Sequence, residues 1–114
     1  MGEPGRPESA DVLGGYSPVA RRVLDVVESI PPGYVLTYGD VAELAGLRSG
    51  RVVGNVLHRY GREVPWWRVV LASGRPAPPH PEDALERLRA EGVSLTAGGE
   101  RVSLAVARWD VQSA

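Results

Sequence analysis

Residues 37–60 read TYGDVAELAGLRSGRVVGNVLHRY, and this stretch decides the fold. Thr37 can cap a helix over 38–45, and Gly46 follows at the position where a left-handed backbone is favoured. A second helix is predicted over 51–60, because valine and leucine recur on one face at helical spacing. Two short helices joined by a glycine-containing turn have the spacing of a helix-turn-helix, a pattern that also occurs in proteins that never bind DNA.

The flanking segments extend this motif into one α/β domain that is small, mainly helical and winged-helix-like. Residues 16–114 form the predicted domain, and residues 1–15, rich in glycine, proline and charge, form a predicted disordered tail. The predicted elements around the motif are a helix over 18–29, an apolar run over 64–71, a proline-rich loop over 75–81, a helix over 81–90 and a hairpin of 93–96 with 101–104. We expect Arg87 and Arg89 to lie on the outer face of the helix over 81–90.

The composition is that of a folded soluble protein. The chain has 114 residues, of which 43% are hydrophobic and 24% charged, so it fits one domain with one core. No apolar run approaches the roughly 20 residues that cross a bilayer, and residues 1–11 lack the apolar core of a signal peptide. We therefore expect a cytoplasmic protein without a membrane partner.

The chain contains no cysteine and two histidines. These counts exclude disulfides, thiolate metal sites and sulfur nucleophiles, and they leave too few histidines for a metal cage. Lysine is absent, and the sequence has no motif of a serine hydrolase or of a phosphate-binding loop. We therefore expect no cofactor, no bound metal and no enzymatic activity.

Charge is sorted along the chain, although the net charge is −1. Residues 48–68 carry five arginines against one glutamate, whereas the net charge is −4 over residues 1–47 and −1 over residues 69–114. Such a basic segment is expected where a protein contacts a phosphate backbone, and it also occurs on solvated surfaces that bind nothing.

Four motifs in order give the chain a family resemblance. They are YVLTYGDVA at 34–42, RVVGN at 51–55, PWWRVV at 65–70 and EGV at 91–93. Together they resemble the DNA-binding domain of the O6-alkylguanine-DNA alkyltransferases. The central motif of that family is Pro-Cys-His-Arg, and here Trp66 and Trp67 stand at its cysteine and histidine positions. Tryptophan at the cysteine position is typical of the alkyltransferase-like branch, which recognises alkylated guanine without accepting the alkyl group. Many members of that branch retain the histidine, so Trp67 is a further departure from the family pattern.

The resemblance implies a set of DNA-binding residues. Arg51 matches the arginine finger that enters the duplex where a base has been extruded, and Tyr38 matches the tyrosine that pushes on the phosphate of the flipped nucleotide. Gly54 matches the small residue that allows close approach to the backbone in a minor groove. Asn55 and Arg59 lie on the polar face of the same predicted recognition helix.

The resemblance also implies a pocket for the alkylated base, lined by Trp66. We expect Val69 and Arg75 to line it as well, with Arg75 reaching the base through a cation–π contact from a loop that differs from the family pattern. We expect the segment that contains Trp66 to be extended, so that alternation sends Trp66 into the pocket and Trp67 into the interior. Glu91 matches the family's glutamate behind the catalytic histidine. With Trp67 in place of that histidine, we expect Glu91 to lose its polar partner and to be structural or exposed.

For function, the resemblance implies a monomer that flips O6-alkylguanine out of double-stranded DNA, does not transfer the alkyl group, and marks the lesion for nucleotide excision repair proteins. Two alternatives stay open. One is a sequence-specific winged-helix regulator that reads base edges, and the other is a DNA methyltransferase-like enzyme with residual activity in the same pocket. Binding that depends on a lesion distinguishes the domain from the regulator, and covalent transfer or turnover identifies the enzyme.

Overall fold

The helix-turn-helix lies between an N-terminal helix and a C-terminal layer in a computed structural model that describes residues 16–111. The helices predicted over 18–29 and 81–90 are confirmed with those bounds, and each helix of the motif differs from its prediction by one residue. The predicted tail, 1–15, lies outside the described residues. The elements are α1 (Pro18–Ser29), β1 (Leu36–Thr37), α2 (Tyr38–Leu44), α3 (Gly50–Tyr60), two 3₁₀ turns (Gly61–Glu63 and Trp66–Arg68), β2 (Val69–Val70), α4 (Pro81–Ala90) and α5 (Leu104–Ala107).

Local capping fixes both ends of α2. The Thr37 hydroxyl accepts a hydrogen bond from the Asp40 N–H at 3.1 Å, and the Asp40 carboxylate accepts one from the Thr37 N–H at 3.0 Å, which is a capping box. At the other end Gly46 has a φ of +76°, and the Leu47 N–H donates to the Ala42 carbonyl at 2.8 Å. This glycine-dependent ending turns the chain directly towards α3.

A two-stranded parallel sheet contributes to two halves of the core. Leu36 pairs with Val69, and Thr37 pairs with Val70. Because side chains alternate along a strand, Leu36 and Val69 pack with α1, α2 and α3 in a helical core, whereas Val35 and Val70 belong to a C-terminal core. The buried residues of the C-terminal core are Val35, Val70, Leu88, Val93, Val102 and Ala107.

Two segments differ from the sequence-based prediction. The apolar run after α3 is not a continuous strand, because Trp66–Arg68 form a 3₁₀ turn and the extended strand is limited to Val69–Val70. The C-terminal hairpin is reduced to one antiparallel bridge between Leu95 and Val102, after which α5 begins. A short apolar run is compatible with either geometry, so tertiary contacts decide between them.

The approach of α3 to α2 depends on Gly50. A Cβ atom at this position would lie 3.0 Å from the Tyr38 Cβ and 3.1 Å from the Tyr38 carbonyl carbon, which is closer than ordinary packing. A Cβ at Gly54, one turn further along α3, would lie 3.8 Å from the Tyr38 ring, which is an ordinary contact. The two glycines therefore differ in what the fold requires of them.

We predict that Gly50→Ala lowers the free energy of unfolding by about 1–3 kcal/mol, because α2 and α3 would have to separate. The matched control, Gly54→Ala, should leave it unchanged or raise it by up to about 1 kcal/mol, since alanine favours a helix more than glycine does. Urea unfolding of both variants measures the difference. Equal stabilities would contradict the close approach at Gly50.

Candidate nucleic-acid interface

A cavity of about 640 Å³ lies beside α3, where the helix-turn-helix meets the C-terminal layer. Its walls come from α2, α3, the 3₁₀ turn Trp66–Arg68, the loop before α4, and α4 itself. This volume is within the range of cavities that enclose small organic groups. The aromatic and ionisable lining residues are Tyr38, His58, Arg62, Trp66, Trp67, His80, Asp83 and Arg87.

Two adjacent indoles form part of the cavity wall. The ring centroids of Trp66 and Trp67 are 5.7 Å apart, with 87° between the ring planes. In a 3₁₀ turn successive side chains are rotated by about 120° around the helix axis, so two neighbouring side chains can both line one cavity. In a strand, neighbouring side chains point to opposite faces. The expectation that Trp67 points away from the pocket is wrong, because Trp67 lines the cavity and also packs against the C-terminal core.

The Glu91 carboxylate holds the second indole in place. It accepts hydrogen bonds from the Trp67 Nε1–H at 2.8 Å and from the Arg68 Nη2–H at 2.7 Å, and Arg68 also donates to the Ile30 carbonyl at 2.8 Å. Burial would raise the pKa of Glu91, but the hydrogen bonds from Arg68 and Trp67 outweigh burial and lower the pKa below 4.5. The expectation that Glu91 loses its polar partner is therefore wrong. An indole N–H donates to it from the position where the resemblance places a histidine.

Tyr38 and Gly54 both line the cavity. Tyr38 is the first residue of α2 and is partly buried against the helical core. Burial raises the pKa of the Tyr38 hydroxyl above 10.0, so the phenol stays neutral and can donate a hydrogen bond. Since the fold leaves room for a Cβ at Gly54, the glycine is not required for packing within the domain.

The polar face of α3 carries arginines without carboxylate partners. Arg51, Asn55 and Arg59 are exposed, and the Ser49 hydroxyl caps the helix by accepting from the Arg51 N–H at 3.0 Å. Within residues 16–111, the arginines of α3 and its flanking turns make no ion pair, whereas four arginines elsewhere do. Positive charge is therefore left available on this face. Within residues 16–111, the arginines of α3 and its flanking turns that lack an ion pair are Arg48, Arg51, Arg59 and Arg62, and the paired arginines elsewhere are Arg68, Arg75, Arg87 and Arg108.

The structure brings together part of the predicted pocket. Trp66 and Val69 line the cavity, whereas Arg75 is not in its lining and lies 3.7 Å from the Glu100 carboxylate. Arg87, expected on the outer face of its helix, lines the cavity, with its guanidinium carbon 4.7 Å from the centre of the Trp67 ring. Sequence reasoning missed Arg87 because the face that α4 turns to the cavity depends on how the proline-rich loop docks the helix.

The charged groups at the cavity do not form a metal-ligand cluster. Within residues 16–111, no three histidine, aspartate or glutamate side chains are placed to hold a metal ion together. At the cavity the Asp83 carboxylate is paired with the Arg87 guanidinium at 3.2 Å.

None of the helices in the described part of the chain is long and apolar enough to cross a membrane.

Comparison with known proteins assigns the domain to a family. Residues 18–93 match the family described as 6-O-methylguanine DNA methyltransferase, DNA binding domain. The chain belongs to this family. It resembles the alkyltransferase-like proteins within it, and the small, mainly helical fold with a short sheet is confirmed.

Relatives of this alkyltransferase-like domain match most of its length. It is 44% identical over 95 residues to the DNA base-flipping protein of Escherichia coli K12, covering 79% of this chain and 73% of that protein. It is 41% identical over 87 residues to the methylated-DNA–protein-cysteine methyltransferase of Methanothermobacter thermautotrophicus, covering 73% of this chain and 49% of that protein. A crystal structure of S. pombe Atl1 in complex with damaged DNA containing O6-carboxymethylguanine superposes with a TM-score of 0.69 at 31% identity, covering 81% of this chain and 94% of that one.

We predict that Glu91→Gln lowers the free energy of unfolding at neutral pH by about 3 kcal/mol, because Arg68, 13% exposed, would keep its charge without a charged partner. The pKa of Glu91 is lower in the folded than in the unfolded state, so its contribution is complete above the unfolded pKa and is lost as the pH falls through the folded pKa. The variant should therefore lose less stability than the wild type between about pH 5 and pH 3.

Urea unfolding across this pH range measures both effects. Glu86→Gln, an exposed change on α4, is the matched control and should follow the wild-type curve. Parallel loss of stability in wild type and Glu91→Gln would contradict the role of the Glu91 carboxylate.

Proposed function

We propose that this domain binds double-stranded DNA, flips an O6-alkylated guanine into the cavity, and holds it without accepting the alkyl group. The observation that carries the proposal is the adjacency of two features. One is the cavity walled by Trp66 and Trp67. The other is the basic face of α3 and its flanking turns, which borders the cavity at Arg62 in the 3₁₀ turn after α3. An extruded base packs well on aromatic side chains, and the strand that it leaves is held by cations.

Two relatives support binding to damaged DNA. The E. coli relative is named a DNA base-flipping protein, and the S. pombe protein is seen in complex with DNA containing a modified guanine. The similarity to both extends over about four-fifths of this chain. The family match, over residues 18–93, spans the positions of Trp66 and Trp67. Lesion binding is the general function that these relatives support, and the choice of O6-alkylguanine is the more specific part of our proposal.

The residues on α2 and α3 suit the extrusion of a base. Flipping costs a few kcal/mol of stacking and pairing, which side chains inserted into the duplex can offset. Arg51 stands in the first turn of α3, the part of a recognition helix that enters a groove, and its exposed guanidinium can fill the gap. Tyr38 can donate its neutral hydroxyl to a phosphate, and Gly54 lets the backbone of the duplex approach α3 closely.

The chain has no group for the family's transfer reaction. Cysteine is absent from the whole sequence, and Trp66 stands where the family motif has it. Trp67 stands at the histidine position, and its indole N–H is a donor that cannot accept a proton. The adduct is therefore bound with its alkyl group in place.

A protein that holds a lesion without repairing it requires another system to remove the lesion. We therefore propose that the bound complex marks the site for nucleotide excision repair proteins. The support for this step is chemical, because excision removes the adducted nucleotide whatever its alkyl group is. The monomeric state and the cytoplasmic location stay predictions.

The test is a fluorescence-anisotropy titration of the whole protein against one duplex with and without a single O6-methylguanine. We expect tighter binding to the lesion, with a radiolabelled methyl group remaining on the DNA after incubation. Label on the protein would contradict binding without transfer. Equal affinity for both duplexes, combined with dependence on the surrounding sequence, would favour the winged-helix regulator.

We predict that Arg51→Ala weakens binding to the lesion duplex more than binding to the unmodified duplex, because the inserted side chain stabilises the flipped state. Arg59→Ala should weaken both equally and reduce the slope of log affinity against log salt concentration by about one. The same titrations at several salt concentrations measure both effects. Losses that are equal in the two variants and independent of the lesion would argue against insertion of Arg51.

A further inference from the structure

Arg87 extends from α4 to both indoles of the cavity. Its guanidinium carbon lies 4.7 Å from the centre of the Trp67 ring and 5.9 Å from that of the Trp66 ring. Asp83, one turn earlier, accepts a hydrogen bond from the Arg87 Nε–H at 3.2 Å. The side chains of Arg87 and Asp83 are 48% and 49% exposed, so a group bound in the cavity can reach them.

The guanidinium has donors to offer such a group. Arginine carries five N–H donors and no acceptor. Within residues 16–111, the Nε–H group of Arg87 is the one donor of this side chain that is hydrogen-bonded to a protein acceptor. The Trp67 N–H is already bonded to Glu91. A group that packs on the two indoles therefore lies near the terminal N–H groups of Arg87.

The charged lining of the cavity favours an anion. Two guanidinium groups, of Arg62 and Arg87, line the cavity, and among the described lining residues one carboxylate, of Asp83, opposes them. Guanidinium and carboxylate form charge-assisted, often paired hydrogen bonds that are about twice as strong as neutral ones. An adduct that ends in a carboxylate would gain such paired bonds, whereas a neutral amide of the same shape offers one uncharged acceptor oxygen and binds the guanidinium less strongly.

We propose that Arg87 is a specificity-determining residue that makes the cavity prefer O6-adducts ending in a carboxylate over neutral adducts of the same shape. The proposal rests on the proposed function, since the adducted base has to enter the cavity. Asp83 opposes the preference, because its carboxylate repels the adduct and competes for Arg87. The two members of this ion pair therefore have opposite effects on the choice of adduct, which an ion pair of purely structural role would not have.

The experiment uses one duplex with guanine, O6-methylguanine, O6-carboxymethylguanine or O6-carbamoylmethylguanine at a single position. The last two adducts have nearly the same size and shape, and of these the carboxymethyl group carries the negative charge. Anisotropy titrations of the whole protein should show the carboxymethyl duplex bound about tenfold more tightly than the carbamoylmethyl duplex, the ratio that a modest charge-assisted hydrogen bond provides.

Three variants separate the contributions. Arg87→Gln should bring the ratio of the two affinities to one or below, because Asp83 then repels the charged adduct unopposed, and Asp83→Asn should raise the ratio above the wild-type value. Arg89→Gln is the matched control, because Arg89 lies on the same helix outside the cavity lining and donates to the Gly99 carbonyl. This control should keep the wild-type ratio. Melting curves establish that each variant is folded, and Asp83→Asn tests the proposal by itself if Arg87→Gln does not fold.

A wild-type ratio at or below one, a ratio unchanged by Arg87→Gln, or a lower ratio in Asp83→Asn would overturn the proposal. If the protein prefers O6-methylguanine to guanine but shows a ratio of one, this proposal fails and the proposed function stands. If all four duplexes bind equally, the proposed function fails and this proposal fails with it.

Discussion

The Glu91 carboxylate connects the segments on which the cavity wall depends. Glu91 is the C-terminal cap of α4, and its carboxylate oxygens accept hydrogen bonds from Trp67 and Arg68 in the 3₁₀ turn. Arg68 in turn donates to the carbonyl of Ile30, at the end of α1. Because Arg68 and Glu91 are 13% and 16% exposed, water competes weakly for these groups. Removing either partner would leave the other as a poorly solvated charge, so this ion pair fixes how α1, the turn and α4 meet.

Within the helix-turn-helix, a close backbone approach holds α3 against α2. Gly50 allows the start of α3 to contact Tyr38, and Tyr38 thereby belongs both to the helical core and to the cavity. The arginines of the domain fall into two groups, with and without a carboxylate partner. Those of α3 and its flanking turns have no carboxylate partner within residues 16–111, while Arg68 and Arg87 are paired in or beside the cavity. A chain with a net charge of −1 can thus present one basic face while Arg68 and Arg87 are held in ion pairs.

Trp66 and Trp67 stand where the family motif has cysteine and histidine, and their rings pack at the cavity. One polar contact is made at this position. An indole at position 67 still donates an N–H to Glu91, so the carboxylate is satisfied without a histidine. The faces of the two rings are then available at the cavity, with Arg87 beside them. The result is a site suited to holding a flat group next to a cation.

The helix-turn-helix could be predicted from the sequence because its signals are local. The capping residue Thr37 and the left-handed Gly46 act within one turn of the chain, and the observed helices differ from the predicted ones by one residue each. The absence of cysteine was likewise a property of the sequence alone. The orientation of Trp67, the partners of Glu91 and the place of Arg87 were decided by the tertiary structure. A short apolar run suits a strand or a 3₁₀ turn equally well, and the contacts that choose between them join residues more than twenty positions apart, such as Trp67 and Glu91.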